Sequence, residues 1–159
     1  MSELSPEPLS TELTERYLRS RGVRHFRGQH DGECFFVTNA GGRRLHVHLG
    51  LSRWRSDVFT IRVAPACFFP ATDSARLARL ADTWNQQNPE VTAIVHGSSD
   101  PRRIGIFARS SRRVRDRIPF EEFACYVDRA IGAAIEFFTE LAPAAELTST
   151  AQPLVRDAG

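Results

Sequence analysis

The strongest constraint on the fold is one long apolar stripe near the C-terminal end of the sequence. Between Pro119 and Leu141, apolar residues recur at intervals of three and four, which is the period of one helical face. Pro119 suits the first turn of such a helix, where its missing N–H is not needed. Because a continuous stripe of this length has to be buried, we expect the helix to lie across a sheet. The stripe consists of Phe120, Phe123, Val127, Ile131, Ala134, Ile135, Phe138 and Leu141.

Short β-rich runs between residues 24 and 63 predict the sheet. The runs are RHFRGQ, ECFFVTNA, RRLHVHLGL and DVFTIRV, and turn-prone residues separate them. An antiparallel meander is the simplest arrangement of four such strands. Two further runs, EVTAIVHG and RIGIFARS, are joined by the turn sequence Ser-Ser-Asp-Pro-Arg and predict two more strands.

Two shorter helices complete the predicted order of elements. The first begins after a cap at Ser10 or Thr11 and ends at Gly22, and the second covers about residues 74–87. The resulting order, α-β-β-β-β-α-β-β-α, predicts an α+β domain in which helices pack on a twisted antiparallel sheet.

The ends of the chain differ in composition from the middle. Residues 1–8 and 142–159 are rich in small, polar and proline residues and lack an apolar period, so we expect flexible tails on a domain of residues 9–141.

The second helix ends in the polar sequence TWNQQNP, which could be either a ligand site or a helix end. Helical spacing of the apolar residues before it places Trp84 on the buried stripe. Asn88 suits a left-handed backbone just past the helix, and Pro89 cannot continue the helix. We expect Asn85 to satisfy free carbonyl groups or the start of the next strand. These residues therefore predict a structural motif.

Four segments together resemble the YbjN family of bacterial proteins. They are LARLADTWNQQNP, EVTAIVHG, RIGIFARS and PFEEFACYVDRAIGAAIEFFTEL, and the resemblance covers about residues 10–141. It implies a fold like that of the type III secretion chaperones, often as a homodimer. It also implies a sensory-transduction regulator or chaperone-like protein without an established set of catalytic residues. The chain lacks the acidic character of secretion chaperones, so a secretion role does not follow.

Composition narrows the class of protein. Hydrophobic residues at 42% and charged residues at 25% are typical of a soluble globular domain, and no apolar run approaches the roughly 18 residues of a membrane span. The acidic, apolar-poor N-terminus does not resemble a signal peptide, so we expect a cytoplasmic protein without a membrane partner. Cys34, Cys67 and Cys125 are far apart and are predicted to be reduced and mostly buried.

Motifs of catalysis do not occur in this sequence. It has no Gly-x-Ser-x-Gly, no glycine-rich phosphate loop, no His-Glu-x-x-His, and no lysine, since all 21 basic residues are arginine. We therefore predict a protein that is not an enzyme and holds no cofactor.

An arginine-rich segment, residues 102–117, supports an alternative function. Its arginines could neutralise phosphates, which would suit a regulator associated with nucleic acid. However, no aromatic residue alternates with them for base stacking, nearby acids offset them, and the net charge is only +2. A solvated loop is the favoured interpretation, with Arg102, Arg103, Arg112, Arg113 and Arg115 as a weak candidate anion site.

Two histidines on one predicted strand support a second alternative. His46 and His48 are two residues apart, so their side chains share a face, as a pair of metal ligands on a strand would. The same alternation is typical of any half-buried strand. No carboxylate or cysteine stands at a recognisable ligand spacing, so we predict no metal site, and a metal or small-ligand sensor remains an alternative.

Several strands carry apolar residues on both faces, although helices one and three can cover only one. The second face is left to a dimer partner, to helix two or to a client chain. We therefore predict a non-enzymatic protein-interaction module, chaperone-like or regulatory and a homodimer, that binds a partner polypeptide through this sheet face and helix two. The candidate contact residues are Phe35, Val37, Trp54, Phe68, Phe69 and Phe107.

Overall fold

An antiparallel sheet of seven strands forms one layer of the structure, and three helices pack against it. The computed structural model describes residues 5–149 except 31, 53 and 115. The strands are β1 (Phe26–Arg27), β2 (Cys34–Ala40), β3 (Arg43–Leu51), β4 (Val58–Pro65), β5 (Phe69–Pro70), β6 (Thr92–Gly97) and β7 (Arg103–Arg113). The helices are α1 (Thr11–Ser20), α2 (Ser74–Gln87) and α3 (Phe120–Ser149), and a short 3₁₀ turn, Ala71–Asp73, precedes α2. The predicted α+β class is confirmed.

The strand order across the sheet is β1-β2-β3-β4-β7-β6. Strands β1 to β4 form the predicted meander, and β7 pairs with β4 on one side and with β6 on the other. The two-residue strand β5 pairs with the start of β7 and was not predicted. Its sequence is too short to show alternation, and its pairing depends on a strand more than thirty residues later.

One face of the sheet carries the core. A row of paired neighbours crosses it through Phe36, Val47, Val63, Ala108 and Ala93, and each is at most 6% exposed. Helix α3 packs against this face. Its buried side includes the predicted stripe residues Phe123, Val127, Ala134, Phe138 and Leu141. The stripe is therefore explained by burial against the sheet.

Ser10 caps the N-terminus of helix α1. Its hydroxyl accepts a hydrogen bond of 3.1 Å from the Leu13 amide. This bond satisfies one of the free N–H groups of the first turn. Asp128 of α3 fixes the other end of α1. Its carboxylate accepts hydrogen bonds from the Tyr17 hydroxyl at 2.5 Å and from Arg21 Nη2 at 2.6 Å. The pKa of Asp128 is lowered, chiefly by the hydrogen bond from Arg21.

A buried carboxylate joins α1 to β1. Glu15 is 9% exposed and accepts hydrogen bonds from Arg27 Nη2 at 2.5 Å and from His25 Nε2, which lies 3.0 Å from Oε2. These partners lower the pKa of Glu15 to about 2, with the hydrogen bond from Arg27 as the largest cause. The short strand β1 is thus attached to the helix layer by side chains.

Both predicted tails need correction. Helix α3 does not end at Leu141 but continues to Ser149 through Pro143. A proline inside a helix lacks the N–H for one backbone hydrogen bond, at a cost of about 3 kcal/mol. At the other end, Glu7 forms a β-bridge with Ile118 through two backbone hydrogen bonds of 3.0 and 2.8 Å. Residues 1–4 and 150–159 of the predicted tails lie outside the described residues.

The cysteines differ in their surroundings. Cys34 is fully buried, and burial raises the pKa of its thiol to about 11. Cys67 is half-buried, but Cys125 is exposed on α3, so the prediction of mostly buried thiols is wrong for Cys125. All three are unpaired, as predicted.

No helix among the described residues is both long enough and apolar enough to cross a membrane.

Candidate interaction surfaces

The sequence TWNQQNP holds α2 against the outer edge of the sheet. Trp84 is 5% exposed, and its indole N–H donates to the Val91 carbonyl at 3.3 Å. The Asn85 amide accepts a hydrogen bond from the Ala93 N–H at 2.8 Å and donates to the Ala93 carbonyl at 3.0 Å. Asn85 therefore occupies the place of a neighbouring strand on β6.

The end of α2 differs in one detail from the prediction. Asn88 does not adopt a left-handed backbone but is extended, with φ −130° and ψ 103°. Its backbone N–H donates to the Trp84 carbonyl at 2.9 Å, and its side-chain amide donates to the same oxygen at 3.1 Å. Pro89 follows outside the helix and is exposed. The cluster is structural, with Asn85 serving the next strand rather than the helix carbonyls.

The second face of the sheet is open. Helices α1 and α3 cover the other face, and α2 lies beside α3 and along β6, with the Trp84 and Phe137 rings 5.3 Å apart. None of the described helices therefore covers the second face, which we call the open face. The sequence left this face to a dimer partner, to helix two or to a client chain, and helix two does not cover it.

A row of paired residues crosses the open face from β1 to β7. In order they are Phe26, Phe35, His48, Arg62 and Arg109. The row is apolar at the β1 end, where Phe26 is 65% and Phe35 is 38% exposed, and basic at the β7 end. The predicted contact residues Phe35 and Phe107 lie on this face together with Val37, which is 50% exposed.

Rings and cations are in contact along the open face. The rings of Phe35 and His48 are 4.8 Å apart, and the Arg62 guanidinium lies 4.1 Å from the centre of the Phe107 ring. His96 lies on the other side of Phe107, with ring centres 5.3 Å apart. Arg62 on β4 therefore contacts an aromatic ring of β7, and that ring, Phe107, lies within the arginine-rich segment.

The basic end of the open face lacks compensating carboxylates. Arg62 and Arg109 are direct cross-strand neighbours, and no described carboxylate lies within ion-pair distance of either. Glu33 Oε2 lies 3.2 Å from His48 Nε2 and is not within ion-pair distance of Arg62 or Arg109. Like charges directly opposite each other destabilise a sheet, so the arrangement favours an anionic partner.

Phe26, Arg62 and Arg109 were not among the predicted contact residues. A signal for Arg62 was present, because it is an outward residue between two inward apolar ones in Ile-Arg-Val, whereas Arg109 lies between Ala108 and the polar Ser110. Their pairing across β4 and β7 could not be predicted without the register of two strands that are distant in sequence.

The predicted aromatic residues in loops have different surroundings. Trp54 is 91% exposed after β3, and Phe68 is 40% exposed before β5. Phe69, in contrast, is fully buried, because it belongs to β5 and pairs with Ile104 on the core face. Its prediction as a surface contact is wrong.

The prediction of a loop is wrong for most of the arginine-rich segment, because Arg103–Arg113 form β7, and four of its arginines pair with carboxylates. Arg102 and Arg103 lie 3.2 and 3.8 Å from Asp100. Arg112 pairs with Glu122 at 2.6 Å and Arg113 with Asp57 at 2.8 Å. These pairs leave little positive charge for phosphate on the four paired arginines, whereas Arg109 of the same segment has no described carboxylate within ion-pair distance. Arg115 lies outside the described residues.

The two histidines of β3 share the open face, as predicted from their spacing. His48 contacts Glu33 and Phe35, whereas His46 pairs across the sheet with Val37 and Ala64. Within the described residues, no group of three or more His, Cys, Asp or Glu side chains is arranged to hold a metal ion.

A pocket of about 400 Å³ lies between α2 and α3 on the helix side of the molecule. Its apolar residues include Trp84 and Phe137, and two carboxylates, Glu136 and Glu140, stand beside them. The pocket therefore differs from the open face in charge, because its ionisable residues are acidic.

Comparison with known proteins agrees with this architecture. The sequence matches the family YbjN, described as “Putative bacterial sensory transduction regulator”, over residues 10–143. The crystal structure of “YbjN, a putative transcription regulator from E. coli” is similar, with a TM-score of 0.70, 14% identity, and coverage of 89% of this chain and 96% of that chain. None of the curated proteins matches the sequence significantly.

A second solved structure is more distant. It is the crystal structure of an uncharacterized protein from Methanothermobacter thermautotrophicus, with a TM-score of 0.51, 9% identity, and coverage of 86% of this chain and 99% of that chain. At these identities, the solved structures show the fold alone. The family match covers most of the sequence, and on that basis the chain belongs to the YbjN family, a family described as regulatory.

Proposed function

We propose that this chain is a non-enzymatic regulatory protein that acts in a chaperone-like manner, by binding a partner polypeptide. The open face binds an acidic segment with apolar side chains, and helix two supplies a second contact. The observation that carries the proposal is the row from Phe26 to Arg109, with exposed phenylalanines at one end and two uncompensated arginines at the other.

The physical support is complementarity of two kinds. Burying Phe26, Phe35 and Val37 under a partner removes their exposed apolar surface from water, at about 25 cal/mol for each Å². Carboxylates of the same partner relieve the repulsion between Arg62 and Arg109. A second copy of this chain would present the same basic arginines, whereas an acidic partner offers carboxylates to both of them.

Crosslinking from the open face tests the proposal. A photoreactive amino acid replaces Val37, which is 50% exposed, and the protein is irradiated in its native cell. We expect a few discrete polypeptide adducts whose crosslinked peptides are acidic and apolar. Phe35→Asp and Arg62→Asp should each remove them, because one inserts charge among apolar contacts and the other reverses the attraction.

The control places the photoreactive residue at Arg19, which is exposed on α1 on the other side of the sheet. Equal adducts from both positions would contradict a specific site on the open face. If nuclease treatment shortens the adducts, the partner is a nucleic acid and not a polypeptide.

A further inference from the structure

The pocket between α2 and α3 has a preformed apolar floor. Trp84 and Phe137 are 5% and 3% exposed, and their rings make an edge contact at 5.3 Å between centres. The Trp84 indole N–H donates a hydrogen bond to the Val91 carbonyl, which fixes the position of the ring. A floor fixed in this way needs little reorganisation to accept an apolar side chain.

The size of the pocket fits a short peptide segment. A volume of about 400 Å³ is in the range of ligand-binding clefts. Thr83 and Gln87 of α2 line the pocket together with the floor residues and the two glutamates. Apart from the floor, they offer amide and hydroxyl groups at the mouth, where a peptide backbone could hydrogen-bond.

The charge of the pocket selects the ligand. Glu136 and Glu140 are one helical turn apart on α3, and both are exposed. In the described part of the chain, neither has an arginine or histidine within ion-pair distance. Two glutamates at this spacing repel each other mildly, and a cation between them relieves the repulsion.

We infer that this pocket binds a polypeptide segment in which an apolar side chain is flanked by arginine or lysine. The inference rests on the proposed function and names the chemistry of the contact at helix two. The apolar side chain lies on Trp84 and Phe137, and the flanking cations contact Glu136 and Glu140. The pocket and the open face thus take segments of opposite charge.

Fluorescence gives a direct test, because the chain has only two tryptophans. Trp54→Phe removes the exposed one and leaves Trp84 in the pocket floor as the single reporter. Three capped hexapeptides, RRLFRR, EELFEE and RRGGRR, are titrated into this variant. We expect a saturable change in Trp84 emission with RRLFRR, and affinities at least about tenfold lower for the other two peptides, since each lacks one of the required features.

A pair of variants tests the role of charge. Glu136→Gln/Glu140→Gln should weaken binding of RRLFRR about fivefold, because two exposed ion pairs are lost. The matched control, Glu121→Gln/Glu122→Gln, makes the same charge change at the other end of α3 and should leave the affinity unchanged.

Several outcomes would overturn the inference. Equal binding of RRGGRR would mean charge attraction alone, and equal binding of EELFEE would mean apolar contact alone. Absence of saturation with RRLFRR, or the same affinity after removal of both glutamates, would likewise reject this site. Phe35→Asp on the open face should not alter RRLFRR binding, so failure of the pocket can be distinguished from failure of the proposed function.

Discussion

At the scale of single residues, Arg62 and Arg109 present the main conflict between stability and function. They are paired across β4 and β7, and no described carboxylate is within ion-pair distance of them. Arg113, four residues further along β7, is by contrast compensated, because it forms an ion pair with Asp57 at 2.8 Å. Residues that lower stability while remaining available to a partner are typical of binding surfaces.

We predict that Arg109→Gln stabilises the isolated protein by about 0.2 to 1 kcal/mol, because it removes the repulsion from Arg62. Urea denaturation at low salt measures the change, and the gain should shrink at high salt as the charges are screened. The control on the same strand, Arg113→Gln, should not stabilise, because it breaks an ion pair. Equal effects of the two variants would argue against repulsion.

Single residues were predictable where local spacing decides their place. Trp84 is buried because the apolar spacing of α2 requires it, and that spacing is visible in the sequence. The extended backbone of Asn88 was not predictable, because both a left-handed and an extended residue can follow a helix. In this protein Asn88 is extended, and its side chain bonds to the Trp84 carbonyl. The burial of Phe69 depends on pairing with Ile104, a contact that is distant in sequence.

At the scale of elements, side-chain bridges hold together pieces that are too short to be stable alone. Strand β1 has two residues, and its attachment to α1 passes through Glu15. The helices, in contrast, were predicted with correct order because each has a long apolar period. Boundaries were less predictable, as α3 shows by continuing through Pro143 into an alanine-rich turn.

The bridge at Glu15 predicts a dependence on pH. Because the pKa of Glu15 in the folded protein is about 2, below its usual 4.5, its contribution is complete above pH 4.5 and is lost as the pH falls towards 2. We expect Glu15→Gln to cost about 1.5 to 3 kcal/mol at pH 5.5, because its hydrogen bonds join charged groups, and well under about 1 kcal/mol at pH 2. Denaturant titrations across this range measure the difference.

The control for this bridge is Glu12→Gln, an exposed position on the same helix. Its effect should stay within about 0.5 kcal/mol at every pH. A cost of Glu15→Gln that is the same at pH 5.5 and pH 2 would show that the carboxylate charge contributes nothing.

At the scale of the whole molecule, the two candidate surfaces lie on opposite sides of the sheet and differ in charge. The open face carries Arg62 and Arg109, and the pocket carries Glu136 and Glu140. A molecule arranged in this way can hold two segments at once, from one partner or from two, and linkage between them would raise the apparent affinity.

The homodimer predicted from the sequence belongs to this scale. Light scattering at micromolar concentration should give twice 17.9 kDa. Because the proposed function gives the open face to an acidic partner, we expect Phe35→Ser to leave that mass unchanged. A clean monomer would reject the dimer, and a mass that falls with Phe35→Ser would assign the open face to self-association.

The amide of Asn85 has a consequence for behaviour at high concentration. By hydrogen-bonding to both backbone groups of Ala93, it occupies part of the sheet edge formed by β6. The two-residue strand β1 lies at the opposite edge. Fibril growth requires long unpaired strands onto which further chains can add. One sheet edge is therefore closed to an incoming strand at Ala93, and we expect Asn85→Ala to raise the tendency of the protein to aggregate in concentrated solution.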